Sequence, residues 1–391
     1  MTKSFTQLLA QPIVGKVVLV RVDFNVPLKD GCVMDTTRVE ASLETIQSLT
    51  DSGAKVVLIS HLNRPGGKVV ESARLTPVRD VLQSLLNKPV TKVDDCIGAS
   101  VERAIGRMAN GDVLLLENSR FYPEEEANDA VFSKTLAGYC DYFVQDAFGA
   151  VHRRHASTYG VATYLPAYAG QLVDKELHYL SQVVTNPGRP FLALIGGSKM
   201  SSKFSVLKNL LSRVDGIILG GAMVYTLLKA QGKSVGLSLV EDDLIPDAHR
   251  FLQDAHDLGK SVYLPEDHVV VTDVNQPSTA RVVRDIPSDC MAVDIGPASI
   301  AAIQQLIGDA QMVFWNGPVG IFEVPAYAKG TLAIAHHMAN ATATTIVGGG
   351  HCVAAVNQAG CAHKMDHVST GGGASLAYIE GCELPGLAVL A

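Results

Sequence analysis

Short runs of apolar, largely β-branched residues punctuate the chain: KVVLVRVDFNVP, AKVVLISHLNRP, DVLLLENSRF, DYFVQDAFG, FLALIGGSK, GIILGGAM, VFWNGPVG and TIVGGGH. Each ends in a glycine, proline or polar cluster, and a segment with helical periodicity follows. Nearly continuous apolar strands are what a sheet buried on both faces requires, and helices between them supply its covers. This is a βαβ pattern, so the expected class is α/β with parallel sheets. Ligands of such sheets bind beyond the carboxyl ends of the strands, which makes the residues ending these runs the place to look for function.

Runs before about residue 160 end in Asp, Asn, His and Arg, whereas those after about 190 end in glycine pairs and triplets. The contrast predicts two α/β domains with different ligands, and 391 residues is long for one hydrophobic core. Tyr164 to Val184 opens with turn residues and turns helical, with Leu172, Leu177, Leu180 and Val184 as its apolar stripe. It is expected to connect the domains.

Hydrophobic residues at 47% and charged residues at 18% describe a folded globular chain, not a disordered one. The net charge of −7 disfavours nucleic acid as a partner. No apolar run has bilayer length and the opening MTKSFTQLLAQPIVG has no secretory pattern, so no membrane association and a cytoplasmic location are expected. The 7 cysteines contain no CxxC pair, which argues against a disulfide framework and a structural zinc site.

The first half carries Arg21, Arg38, Arg64, Arg120 and Arg153 at predicted strand ends or helix starts. In DTTRVEASLETIQSL, Thr37 and Glu40 form a capping-box signature and Val39, Leu43 and Ile46 a buried stripe, putting Arg38 at the first helical position. A cation there opposes the helix dipole and needs a compensating anion. One such arginine is most often a surface ion pair; several at strand ends favour a pocket for a small polyanion, because arginine forks match phosphate and carboxylate oxygens. Asp23 and Asn25 either terminate their strand or bind hydroxyls of the same ligand. HRRH, His152 to His155, is a weak zinc signal and reads better as anion contact by Arg153.

In the second half, IGGSKMSSKFSVLKNLL predicts a helix from near Ser198, with Met200, Phe204, Leu207 and Leu211 on one side and Lys199 and Lys203 one turn apart. Paired lysines at a helix start, just after two glycines, suit phosphate better than solvent. The spacing is neither that of a Walker A loop nor GxGxxG. Gly220 and Gly221, WNGPVG, and Gly348 to Gly350 at several strand ends suggest a nucleotide lying on backbone, since glycine lets the chain approach a base or phosphate closely.

These motifs closely resemble phosphoglycerate kinase, in order and over essentially the whole chain: RVDFNVP, HLNRP, ENSRF, DAFGAVHRRHAS, GGSKMSSK, WNGPVGIFE and STGGGASLAYIEG. The resemblance implies a monomer of two Rossmann-like domains, each a parallel β-sheet covered by helices on both faces, joined by a connecting helix and hinge. The first, 1–169 completed by 374–391, would bind 3-phosphoglycerate or 1,3-bisphosphoglycerate, and the second, 170–373, ADP or ATP with Mg2+. The triose pocket would fall on Asp23, Asn25, Arg38, His61, Arg64, Arg120 and Arg153. The nucleotide site would fall on Gly197, Lys199, Lys203, Gly220, Gly221, Asn316, Pro318 and Glu323, the last at the ribose hydroxyls, and on Gly348, Gly349, Gly350 and His351. Arg38, Lys199, Lys203 and the amides of Gly371 and Gly372, with Gly373, would hold the phosphoryl group during in-line transfer after domain closure.

Some positions depart from the family pattern. Asn63 and Ala222 replace glycines, Ser202 a frequent aspartate and Cys382 a common lysine. His351 stands where the family usually has an aspartate that binds the nucleotide's magnesium, so Mg2+ is expected to be held mainly by nucleotide phosphates and water. The competing readings are a nicotinamide-dependent oxidoreductase, disfavoured by the missing GxGxxG, and a nucleotide-binding protein without turnover.

Overall fold

The computed structural model describes residues 2–391, so the expected first domain is seen from its second residue. The chain forms two compact units, one ending at His178 and completed by Glu383–Ala391, the other Tyr179–Cys382. The breaks expected from the sequence lay after residues 169 and 373. The later break falls beyond 373 because the helix Gly373–Ile379 packs on the helix Phe204–Leu211 of the second unit. The earlier one falls inside the helix Gln171–Thr185, whose buried apolar residues are Val173, Leu180 and Val183, not Leu172, Leu177 and Val184.

The first unit contains β1 (Val17–Arg21), β2 (Lys55–Ile59), β3 (Val90–Lys92), β4 (Val113–Leu115), β5 (Tyr142–Gln145) and β6 (Ala167–Ala169). They form one sheet in the order β3-β4-β2-β1-β5-β6, every neighbouring pair parallel. Val18, Val20, Val56, Leu58, Val113 and Leu115 belong to one core, while the alternate residues Leu19, Val57, Leu114 and Phe143 are buried as well. Successive strand side chains face opposite ways, so both faces are covered, and each buried Val or Leu contributes about 1.5–3 kcal/mol. The chain order reverses between β1 and β5, which locates the crevice for a ligand at their carboxyl ends.

The second unit contains β7 (Phe191–Ile195), β8 (Gly216–Leu219), β9 (Ser261–Tyr263), β10 (His268–Val271), β11 (Arg281–Val283), β12 (Met291–Ile295), β13 (Met312–Asn316), β14 (Thr344–Gly348) and β15 (His367–Val368). The main sheet runs β9-β8-β7-β13-β14-β15, again parallel throughout, and β11-β10-β12 is a small antiparallel sheet. Leu194, Val313, Trp315 and Val347 pack with Ile303, Ile307, Ile334 and Met338 from covering helices. Here the order reverses between β7 and β13, the strands that carry the motifs IGGSK and WNGPVG. The apolar runs read from the sequence are the inner four strands of each main sheet.

Candidate active site

In the first unit β1 and β2 are in register, Arg21 opposite Ile59, so the residues that follow them leave the sheet at one edge. Arg38 Nη1 donates to Asp23 Oδ2 and to the Asn25 carbonyl, each at 3.1 Å. Asn25 Oδ1 accepts from the Asn63 N–H at 2.8 Å, and the Asn63 carbonyl accepts from Arg120 Nη1 at 2.8 Å. Asn63 is left-handed, with φ 58, a conformation that asparagine tolerates and glycine takes freely. That explains how Asn63 serves where the family pattern has glycine.

Arg153 Nε donates to His152 Nε2 at 3.2 Å. Burial disfavours its charge, Arg64 and Arg38 add to that, and Asp23 opposes them. His61 Nδ1 lies 3.9 Å from Asp23 Oδ1, and burial, followed by Arg21, Arg153, Arg38 and His155, holds the imidazole well below the usual histidine range. Asp23, Asn25, Arg38, His61, Arg64, Arg120 and Arg153 are thus one cluster. Its arginines outnumber the carboxylates beside them, Asp23 and the Glu126 that pairs with Arg120 at 3.1 Å. A cluster with that imbalance is complementary to a multivalent anion.

One local expectation changes. The helix bearing Arg38 is only Thr37–Glu40, a second helix begins at Leu43, and the cap position is Thr36 without a side-chain cap bond. Arg38 is therefore the second helical residue. Its charge is balanced through Asp23, and Glu40 instead accepts from the Thr36 hydroxyl.

In the second unit the helix expected from Ser198 starts at Phe204, with Lys203 at its cap. Residues 198–200 are bent, non-helical chain and 201–203 a turn, because Ser201 is held from outside, its N–H and hydroxyl both donating to Glu241. Lys203 is partly buried, its Nζ donates to Asn316 Oδ1, and burial lowers its pKa. Lys199 is exposed and its charge acts on Glu241, so the two lysines do not share a helix face. Asn316 Nδ2 is buried without a partner and sits against Gly349, the cap of the helix Gly350–Gln358. Ammonium, unpaired amide and helix N-terminus together make an anion site.

The glycines divide into two groups. A Cβ on Gly221 would lie 2.5 Å from the Gly197 carbonyl, and one on Gly317 2.0 Å from the Gly196 carbonyl, so these strand ends are glycine because they pack on one another. Gly220 is likewise filled by Val319. Gly350, Gly372 and Gly373 face open space, which is where a ligand can approach backbone. The Gly371 N–H is already used by Ser369 Oγ at 3.1 Å.

Beside these groups lies a cavity of about 380 Å³ whose walls include Gly197, Gly221, Pro318, Glu323 and His351. Glu323 Oε1 and His351 Nδ1 are 3.6 Å apart and both side chains are exposed. Tyr225 and Asp294 also line the cavity, and sequence reasoning missed both. Asp294 accepts from the Gly330 and Ile295 N–H groups at 2.8 and 2.9 Å, and burial pushes its carboxyl up to about 7. A lone aspartate inside the apolar run MAVDIGP was the available signal, since carboxylates are seldom buried without a task.

The phosphoglycerate kinase family model matches residues 10–382. A phosphoglycerate kinase of Gloeothece citriformis is 51% identical, covering 99% of this chain and 98% of that protein, and one of Moorella thermoacetica is 52% identical over 96% of both. Among solved structures, phosphoglycerate kinase from Coxiella burnetii superposes with a TM-score of 0.90 at 37% identity, covering 100% of this chain and 99% of that one. With both parallel sheets, their ligand edges and the ordered motifs in agreement, the chain belongs to the phosphoglycerate kinase family.

Proposed function

We propose that this chain transfers a phosphoryl group reversibly from the acyl phosphate of 1,3-bisphosphoglycerate to MgADP, giving 3-phosphoglycerate and MgATP in glycolysis. The observation that carries the reading is the presence of two chemically different sites, arginine forks on one unit and a lysine with helix-terminal amides beside a cavity on the other. Arg38, Arg64, Arg120 and Arg153 hold the triose carboxylate and phosphate, with Asp23, Asn25 and His61 at its hydroxyl. Gly197, Gly220, Gly221 and Pro318 border the nucleoside, and Glu323 takes the ribose hydroxyls. Lys203, Asn316 and the Gly348, Gly349 and Gly350 amides hold phosphates, with His351 at the rim. Arg38, Lys199, Lys203, Gly371 and Gly372 are assigned to the transferring group; open space at Gly372 and the partly buried Lys203 ammonium support it, and the engaged Gly371 amide and exposed Lys199 support it less.

The carboxylate and the ADP phosphate are ionised at neutral pH, so no general base is required. Catalysis then consists of positioning and of neutralising charge on the moving group, for which cations and amides suffice. In-line transfer follows closure that brings the substrates together and excludes water, which would otherwise hydrolyse the acyl phosphate. Mg2+ is carried mainly by the nucleotide phosphates and water, as a hard cation that keeps part of its aqueous shell, with Glu323 and His351 at the cavity. The enzyme acts as a cytoplasmic monomer. No helix among the described residues is long and apolar enough to cross a membrane.

The test is a coupled assay of ATP formation from 1,3-bisphosphoglycerate and ADP, with and without Mg2+. Turnover that needs both substrates and the metal is expected. Nucleotide binding without ATP formation, or hydride transfer with no ADP requirement, overturns the reading.

A further inference from the structure

Arg21 ends β1 and is 1% exposed. A buried guanidinium needs acceptors for its donors. Nε donates to Ser157 Oγ at 2.8 Å, and that hydroxyl donates to Glu125 Oε1 at 2.6 Å. Nη1 donates to the Val22 carbonyl. Glu125 is fully buried too, so one serine hydroxyl bridges two buried charges.

The last amino group, Nη2, lies 3.0 Å from His61 Nδ1. Arginine has N–H donors and no acceptor, so Nδ1 is the unprotonated, accepting nitrogen. Asp23 Oδ1 would favour a proton on Nδ1, but at 3.9 Å it is beyond hydrogen-bond reach. The nearer contact decides the tautomer.

We infer that Arg21 is a positioning residue that fixes His61 as the neutral tautomer protonated at Nε2, so that His61 serves the triose site as an oriented donor and not as a further charge. This rests on the reading of that pocket as the triose site. A neutral donor suits a hydroxyl or carboxylate oxygen, and it makes the contact independent of pH. The charged groups around His61 are Arg21 and Asp23 at the end of β1, Arg38 on the helix Thr37–Glu40, and Arg153 with His155 beyond β5. The cations oppose protonation of the ring, and Asp23, 3.9 Å from Nδ1, favours it.

The test is 15N NMR of the full chain with labelled histidine, His61 being assigned by loss of its signals in His61→Gln. The expected spectrum is that of the Nε2–H tautomer, unchanged from about pH 5.5 to 8.5, the range in which an ordinary histidine titrates. A His61 that titrates there, or that carries its proton on Nδ1, overturns the inference.

The role of Arg21 is tested in Arg21→Met combined with Glu125→Gln, which strands no buried charge. Asp23 then becomes the nearest partner of Nδ1. His61 is expected to titrate, and KM for 3-phosphoglycerate to become pH-dependent and rise about five-fold, while KM for MgATP stays within about two-fold. A double variant with the wild-type His61 spectrum and triose pH profile overturns that role. The wild-type spectrum decides the tautomer even where the double variant does not fold. Wild-type protein that binds no 3-phosphoglycerate refutes the functional reading and leaves the spectroscopic result standing.

Discussion

Gly349→Ala and Gly350→Ala differ by one position and should behave oppositely. Gly349 has φ 90 and ψ 135, a region that L-residues enter at about 1–3 kcal/mol. Its added methyl would sit 2.9 Å from Asn316 Nδ2 and 3.4 Å from Asn316 Cγ, and the amide cannot step aside without releasing Lys203. That displacement adds about 1 kcal/mol, the scale of one net hydrogen bond. Gly349→Ala is therefore expected to destabilise by about 2–4 kcal/mol and to lower Tm by roughly 5–15 °C. Gly350 is the first helical residue, with nothing within 4 Å of a built Cβ. Alanine there should leave Tm unchanged or raise it slightly, by up to about 1 kcal/mol of helix propensity. If its amide meets a nucleotide phosphate, the methyl intrudes on the ligand alone, and ADP affinity should fall about ten-fold, or 1.4 kcal/mol. Thermal melting and ADP titration on both variants decide the matter. Wild-type ADP affinity in Gly350→Ala would refute the idea that phosphate approaches this turn, and an unshifted Tm in Gly349→Ala would refute the backbone argument.

Arg38→Ala should lower kcat and kcat/KM together by about 10²–10³-fold while ADP affinity stays within about two-fold, as measured by steady-state kinetics and calorimetry; near-normal kcat would remove Arg38 from the transition state. Asn63→Gly should be tolerated, whereas Asn63→Val, β-branched at φ 58, should lose about 2 kcal/mol or more and raise the triose KM, as read from denaturant melts and kinetics. Burial holds the folded pKa of Asp294 at about 7, above the ordinary aspartate value of 3.8, so the native state holds the extra proton. Its contribution to stability is full below about pH 4 and is lost as pH rises to about 7, approaching about 4 kcal/mol; the wild-type minus Asp294→Asn stability difference should show this slope, and a flat difference would contradict it. His351→Asp should bind ADP more tightly in Mg2+ than the wild type does, and coincident Mg2+ titrations of the two proteins would show that position 351 does not sense the metal.

Legibility followed burial. Inner strands such as Val17–Arg21 and Phe191–Ile195 are covered on both faces, and their unbroken apolar runs were readable. The edge strands Val90–Lys92 and Ser261–Tyr263 are three residues long with mixed exposure, and the small sheet around His268–Val271 is antiparallel, so neither gave the same pattern. The arginine cluster was readable because Arg64, Arg120 and Arg153 follow apolar strand runs and Arg38 lies at a helix start. What Arg21 does there was not, because Ser157 and Glu125 reach it from far along the chain. The late helix start at Phe204 has the same origin: Glu241, remote in sequence, captures Ser201. Glycine was the most ambiguous letter, since Gly317 answers to Gly196 and Gly350 to open space.

The return of Glu383–Ala391 to the first unit bears on how a ribosome delivers the protein. Within that unit the Leu390 carbonyl accepts from the Lys3 N–H at 2.9 Å, the Val151 carbonyl accepts from the Gly386 N–H at 2.9 Å, and a Cβ on Gly386 would strike Val151 Cα at 2.9 Å. Translation supplies these last residues only after all of 179–382 has been made. At about 5–20 residues per second, the nascent first unit waits roughly 10–40 s with its final seam open. The second unit, although encoded later, has every residue it needs first, so emergence order and completion order are reversed.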